Sequence, residues 1–212
     1  MLANIYLHEV LDVWYEKEVK PRMKGRSLLI RYADDFVICF EREDDAGKIA
    51  EVLPKRFEKY GLRLHPDKTR LFRYQRPPLK SNDDDEEPPK FDFPGFTHYW
   101  ARSTRGYWVI KRKTIAKRLT RKIREIREWC REQRHSPIEE QWKRLASRLT
   151  GYYNYHGITS NFEALRLLYR ETRKNWYYWL TRRSQRGLSW DDFVKLEQQF
   201  PLPLPHLVHA WV

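Results

Sequence analysis

Apolar side chains recur along this chain in two rhythms, one suited to helices and one to strands. From Asn4 to Lys20 they fall at Ile5, Val10, Leu11 and Trp14, an amphipathic helical stripe that stops where Pro21 and Gly25 signal a loop. Two short runs follow, Leu28-Leu29-Ile30 and Phe36-Val37-Ile38, and the segment between them carries Tyr32-Ala33-Asp34-Asp35. Flanks of this kind fit strands and a paired Asp fits a tight connection, so the tip of a β-hairpin is expected there. A second helix is predicted over Asp44 to Tyr60, with Ile49, Val52, Leu53 and Phe57 on one face, Asp44 and Asp45 favouring its dipole, Pro54 kinking it and Gly61 stopping it. Leu62 and Leu64 then open a short strand ending at the His65-Pro66 turn.

The rhythm lapses between Arg76 and Lys90. That stretch holds two Pro-Pro pairs around an acidic run, which predicts a solvated surface loop; the role of its acidic part, residues 81–88, stays open. After Trp108 the period becomes helical. Ile115, Leu119, Ile123, Ile126 and Cys130 mark one face, and Lys111, Arg112, Lys113, Lys117, Arg118, Arg121, Arg124 and Arg131 occupy the others. A second helix uses Ile138, Trp142, Leu145 and Leu149 after Pro137, and a third uses Phe162, Leu165, Leu168, Tyr169, Trp176 and Leu180. The expected class is α+β: an antiparallel sheet with helices over residues 1–108, a three-helix bundle over 109–185, and a tail over 186–212.

Charge separates the halves. The chain of 212 residues has 42 Lys and Arg against 29 Asp and Glu, a formal charge of +13, and the excess falls almost wholly after residue 100. A basic, aromatic-rich half predicts a nucleic-acid surface, with flat rings available to unpaired bases. Cys39, expected in a buried strand, and Cys130 are too few for a disulfide framework and lack partners at metal-site spacing, which points to a reduced, cytoplasmic setting. No apolar run approaches the roughly 20 residues of a membrane helix, so no membrane partner is expected.

Two ionised carboxylates side by side repel each other, and the arrangement becomes sensible when a hard divalent cation lies between them. Asp34 and Asp35 are therefore the candidate metal-binding and catalytic residues. The alternative is a solvated turn.

Longer patterns bear on the choice. The stretch Arg31-Tyr32-Ala33-Asp34-Asp35-Phe36-Val37-Ile38 resembles the fifth sequence block of reverse transcriptases, particularly those encoded by group II introns. Residues from Leu2 to Asp12 resemble the end of the fourth block, Gly61-Leu62-Arg63-Leu64-His65-Pro66-Asp67-Lys68-Thr69 the sixth, and Phe91-Asp92-Phe93-Pro94-Gly95-Phe96 the seventh, or primer grip. The stretch Leu149-Thr150-Gly151-Tyr152-Tyr153-Asn154-Tyr155-His156-Gly157-Ile158 resembles the maturase-specific domain.

The resemblance implies a partial polymerase palm followed by a thumb that doubles as an RNA-binding maturase domain. It implies two Mg2+ ions, held by Asp34, Asp35 and a third aspartate from an earlier block expected upstream of Met1. Nucleotide or primer contacts are implied at Tyr32, Lys68, Gly95 and Phe96. Lys68 is equally an exposed strand-end lysine, and Tyr32 can instead pack under the turn. Phe93 and Phe96 are expected to anchor the grip to the palm, and Pro94 departs from the usual Leu and removes a backbone donor there. Two of the three tyrosines 152, 153 and 155 are expected in the bundle core, while Asn154 and His156 are the exposed RNA-binding candidates beside the basic residues above. Implied partners are RNA (template or intron RNA), a DNA primer and a missing N-terminal reverse transcriptase half. Two functions follow: Mg2+-dependent RNA-directed DNA synthesis with assistance to splicing, or an RNA-binding fragment without catalysis.

Overall fold

The structure, a computed structural model, describes residues 2–78 and 88–209 and divides into two compact units, Met1–Pro94 and Gly95–Val212. It is α+β, with small antiparallel sheets among helices. Most of the acidic stretch considered above, residues 79–87, lies outside the described residues.

In the first unit, helix α1 (Leu2–Leu7) passes directly into π-helical stretches His8–Val13 and Tyr15–Val19 and a 3-10 turn, Lys20–Arg22. A π-helix closes its hydrogen bonds over one residue more than an α-helix, so side chains four and five apart share a side. Accordingly Val10, Leu11, Trp14, Tyr15 and Val19 are all buried. Ile5 is not: the α1 turn has no buried residue, and Leu2, Ile5 and Tyr6 stay exposed.

Strands β1 (Ser27–Tyr32) and β2 (Asp35–Phe40) pair antiparallel, Ser27 with Phe40 at the open end and Tyr32 with Asp35 at the turn. Leu29, Phe36, Ile38 and Phe40 pack on the helical core, whereas Leu28, Ile30, Tyr32 and Cys39 face outward. Cys39 is thus exposed rather than buried, because it pairs with Leu28 on the outer face.

Helix α2 (Glu43–Lys59) carries Glu43, Asp44 and Asp45 in its first turn, where the helix dipole favours acids. Ile49, Leu53 and Phe57, each four apart, are buried, and Val52, off that line, is exposed. The helix runs on through Pro54. Both Pro54 and Ala50, whose carbonyl loses its donor, are on the solvent side. It closes in a Schellman motif: Gly61, at φ +67°, donates to Glu58 and Leu62 donates to Phe57. Leu62 and Leu64 do not form the expected strand; they pack against the core from irregular backbone. Asp45 is buried, and its Oδ2 accepts the backbone N–H groups of Lys24 and Gly25 at 2.9 Å each, which fixes the loop entering β1. A two-residue strand, β3 (Phe91–Asp92), lies near the end of this unit, with Phe91 against Phe72 and Tyr74.

The second unit opens with a hairpin absent from the sequence expectation. Strand β4 (Phe96–Arg102) pairs with β5 (Trp108–Thr114) around a turn holding Gly106 at φ +79°. Lys111, Arg112 and Lys113 therefore lie on a strand, and helix α3 (Ala116–Glu132) begins only after Ile115. The run of Val109, Ile110 and Thr114 beside aromatic Trp108 favours the sheet over the helical period assumed there. With this hairpin included, the second unit starts at Gly95 rather than near 109.

Helices α3, α4 (Ile138–His156) and α5 (Phe162–Thr181) bury Ile126, Cys130, Leu145, Leu149, Tyr153, Leu165, Leu168, Trp176 and Leu180 in one core. The indole N–H of buried Trp176 donates to Gln141 Oε1 at 3.1 Å, and Gln141 in turn donates to the Ser136 carbonyl. Residues 187–209 do not form a tail. Helix α6 (Trp190–Gln199), capped by Ser189, inserts Phe193 into the same core, and Leu202 follows it. Arg173 grips Glu197 through Nε and Nη2, Trp142 donates to the Pro201 carbonyl, and Val208 and His209 donate to that of Gly157. The bundle has four helices because the short α6 covers an apolar face that three leave open. Phe193→Ala should therefore cost about 3–5 kcal/mol of the second unit's stability, read as a lowered unfolding midpoint by circular dichroism. A dispensable tail would leave that midpoint unchanged.

Candidate functional site

A two-residue turn, Ala33-Asp34, joins β1 to β2, and Tyr32 and Asp35 form the closing pair. Ala33 has φ +56°. A left-handed Ala costs roughly 1–2 kcal/mol, a cost the surrounding contacts must offset. Asp34, on the turn, and Asp35, opening β2, are both exposed, and neither enters an ion pair among the described residues. Tyr32 is 58% exposed on the outer face, so it does not pack under the turn.

The inner face holds the turn in place. Arg31 Nε and Nη2 donate to Asp12 Oδ1 and Oδ2 at 2.8 and 2.7 Å, and Nη1 donates to the Ala33 carbonyl at 2.7 Å. Asp12 belongs to the first π-helical stretch and also meets His8 Nδ1 at 3.1 Å. The hydrogen bonds from Arg31 hold the Asp12 carboxyl below its ordinary range. The sequence alone places both residues within the resembling blocks and assigns neither a role. The available signal was phase: Asp12 lies among Val10, Leu11 and Trp14, and Arg31 alternates with inward Leu29, so two opposite charges point inward and require each other.

An Mg2+ site needs hard oxygen donors, and Asp34 and Asp35 supply two exposed carboxylates free of competing cations. Among the described residues no third His, Cys, Asp or Glu gathers with them. Lys68 is exposed on the turn after His65-Pro66, with its amide donating to the His65 carbonyl.

The remaining candidates lie in the second unit. Gly95 has φ +84°, and a side chain there would meet Tyr155 and the Arg118 guanidinium at 3.2–3.3 Å. Its lack of a Cβ thus serves close packing within the unit. Phe96 is buried and stacks on Tyr155, ring centroids 5.8 Å apart, which ties the hairpin to the helical bundle. Tyr152 and Tyr153 are buried, and Tyr155 is exposed. Lys111 and Lys113 share one face of the hairpin with Tyr99, over whose ring the Lys113 ammonium sits at 4.9 Å. Arg112 points to the opposite face, its backbone bonded in both directions to Ser160 Oγ. Lys117, Arg118, Arg121 and Arg124 are exposed along α3, and Asn154 is exposed near the end of α4.

His156 departs from the expected exposure; it is 9% exposed. Asn161 Nδ2 and Tyr152 Oη donate to Thr114 Oγ1 at 2.8 and 3.3 Å, and the Thr114 amide donates to Asn161 Oδ1 at 2.7 Å. With both lone pairs of the Thr114 hydroxyl occupied, its proton points to His156 Nδ1, 3.3 Å away. The ring is then neutral and accepts there. Burial, with the charge of Arg118 adding to it, lowers the His156 pKa to about 4.

The comparison with known families turns on residues 1–98. They match the family model described as reverse transcriptase (RNA-dependent DNA polymerase). The reverse transcriptase match includes the hairpin with Asp34 and Asp35, the Arg31 and Asp12 contacts, and the irregular segment bearing Lys68, and it runs into β4. No curated protein matches the chain. No helix among the described residues is long and apolar enough to cross a membrane.

The His156 contacts generate a pH signature. An unfolded His takes a proton near pH 6.5 and the folded one only near 4, so this contribution is complete above 6.5 and is lost as pH falls toward 4. Between pH 7.5 and 5.0 the second unit should lose about 2 kcal/mol in urea unfolding. His156→Gln should flatten that dependence; an unchanged slope in the variant would assign the loss to other groups.

Proposed function

We propose that the chain serves RNA-directed DNA synthesis, with Asp34 and Asp35 as the cation-binding carboxylates and the second unit as an RNA-binding domain of the group II intron maturase kind, acting also in splicing of intron RNA. The observation that carries this reading is the unneutralised carboxylate pair at a braced hairpin tip within the segment that matches reverse transcriptases. Mg2+, when bound, lowers the barrier by stabilising charge on the attacking and leaving oxygens of an in-line displacement. The chain's own part is to hold two carboxylates at fixed spacing, while water and substrate phosphate supply other ligands. Lys68 is assigned to the triphosphate, where a cation offsets developing charge, and Tyr32 to the nucleotide. Gly95 and Phe96 shape the loop proposed to follow the primer, and Lys111, Lys113, Lys117, Arg118, Arg121, Arg124 and Asn154 are assigned to RNA phosphates. Arg112 is kept on the opposite hairpin face, and His156 acts from inside by supporting the neighbouring loop.

A second reading, RNA binding without catalysis, is favoured by the pair lacking a third ligand among the described residues. Primer extension on an RNA template with Mg2+, with RNA binding measured in the same samples, separates the two. Under the first reading, Asp34→Asn lowers extension by about a thousandfold or more and leaves RNA affinity within a factor of about two. RNA binding that weakens steeply with salt, with no extension by the unaltered chain, supports the second.

A further inference from the structure

Granting the cation reading of Asp34 and Asp35, on which it rests, we propose that Arg31 is a positioning residue for the carboxylate pair and that Asp12 keeps it in that role. Three nitrogens of one guanidinium donate to separate partners: Nε and Nη2 to the Asp12 carboxylate, and Nη1 to the Ala33 carbonyl with a longer contact to Asn4 Oδ1 at 3.4 Å. That carbonyl belongs to the peptide joining Ala33 to Asp34. Holding it fixes the peptide plane at Ala33, the one non-glycine residue with positive φ among the described residues, and so fixes where the Asp34 side chain leaves the backbone. Only a planar fork makes all three contacts at once; a lysine ammonium offers a point charge without that geometry.

Asp12 has a second effect. Arg31 lies one residue from the closing pair Tyr32 and Asp35, and an unpaired guanidinium there would be drawn to the neighbouring carboxylates and compete with a cation. The bidentate pair, with side chains only 15% and 24% exposed, occupies that charge on the inner face. Asp34 and Asp35 are left exposed and without an ion pair among the described residues. The π-helical winding of His8–Val13 supports the arrangement, since it carries Asp12 on the same segment as buried Val10 and Leu11. Windings of this type recur at functional sites.

The test is Mn2+ binding to the full chain, followed by the loss of the free-ion electron paramagnetic resonance signal. The unaltered chain binds, and Asp34→Asn does not. Arg31→Gln should weaken binding roughly tenfold, as loss of a residue that orients metal ligands does. Asp12→Asn should weaken it as well, and it decides the matter if Arg31→Gln does not fold. The double variant should be no weaker than Arg31→Gln alone, because both act through one path. Leu53→Ala, which loosens the same core away from the turn, should leave affinity unchanged. Unaltered affinity in Arg31→Gln and Asp12→Asn, or an equal loss in Leu53→Ala, overturns the positioning role. Failure of the unaltered chain to bind, or equal binding by Asp34→Asn, instead overturns the cation reading and this role with it.

Discussion

The bidentate pair of Arg31 with Asp12 is the interaction on which the tip of the first hairpin depends. Neighbouring carboxylates at the tip of a two-stranded ribbon would spread if the turn were free, and a two-stranded ribbon alone is marginal in water. Here the ribbon lies with Leu29, Phe36 and Ile38 on a helical core, and its turn is tied through Arg31 to Asp12. Asp45 ties the other end of β1 through Lys24 and Gly25. The strand leading to the pair is thus held at both ends by buried or half-buried carboxylates, Asp12 through both oxygens and Asp45 through Oδ2, and the exposed pair is left unneutralised.

The second unit solves a different problem. A hairpin that ends at Thr114 must join a helical bundle without stranding buried polar groups. Thr114 meets this through four hydrogen bonds, one from its amide to Asn161 and three at its hydroxyl with Asn161, Tyr152 and His156, and Phe96 stacks outside them on Tyr155. The basic residues of α3 and β5 need only remain outside this framework. In the proposed RNA-binding role these residues would act through number and exposure, whereas the interior fixes where they stand.

What the sequence disclosed follows from which forces are local. The β1–β2 hairpin was legible because two short apolar runs flank a paired Asp suited to a tight connection, and α2 because its acids, stripe and Gly61 stop agree with one another. The strand at 108–114 was hidden because Lys111-Arg112-Lys113 reads like the basic face of the helix that follows, and only pairing with Phe96–Arg102 decides it. Helix α6 was missed for its length; its Phe193 matters through a core assembled from residues far away in sequence. In the candidate site, the place of Asp34 and Asp35 at a hairpin tip was legible from their apolar flanks. Arg31, Asp12 and the burial of His156 were not, because each depends on a partner from another element.

Cleavage by tethered radicals reports most directly on a cation at the hairpin tip. With Fe2+, ascorbate and peroxide, a bound ion cuts the backbone beside its ligands, and the fragments map the site within the full chain. The account predicts a cut confined to residues near 32–36, suppressed by Mg2+ and absent in Asp34→Asn. No cut there, or one that survives Asp34→Asn, would contradict it.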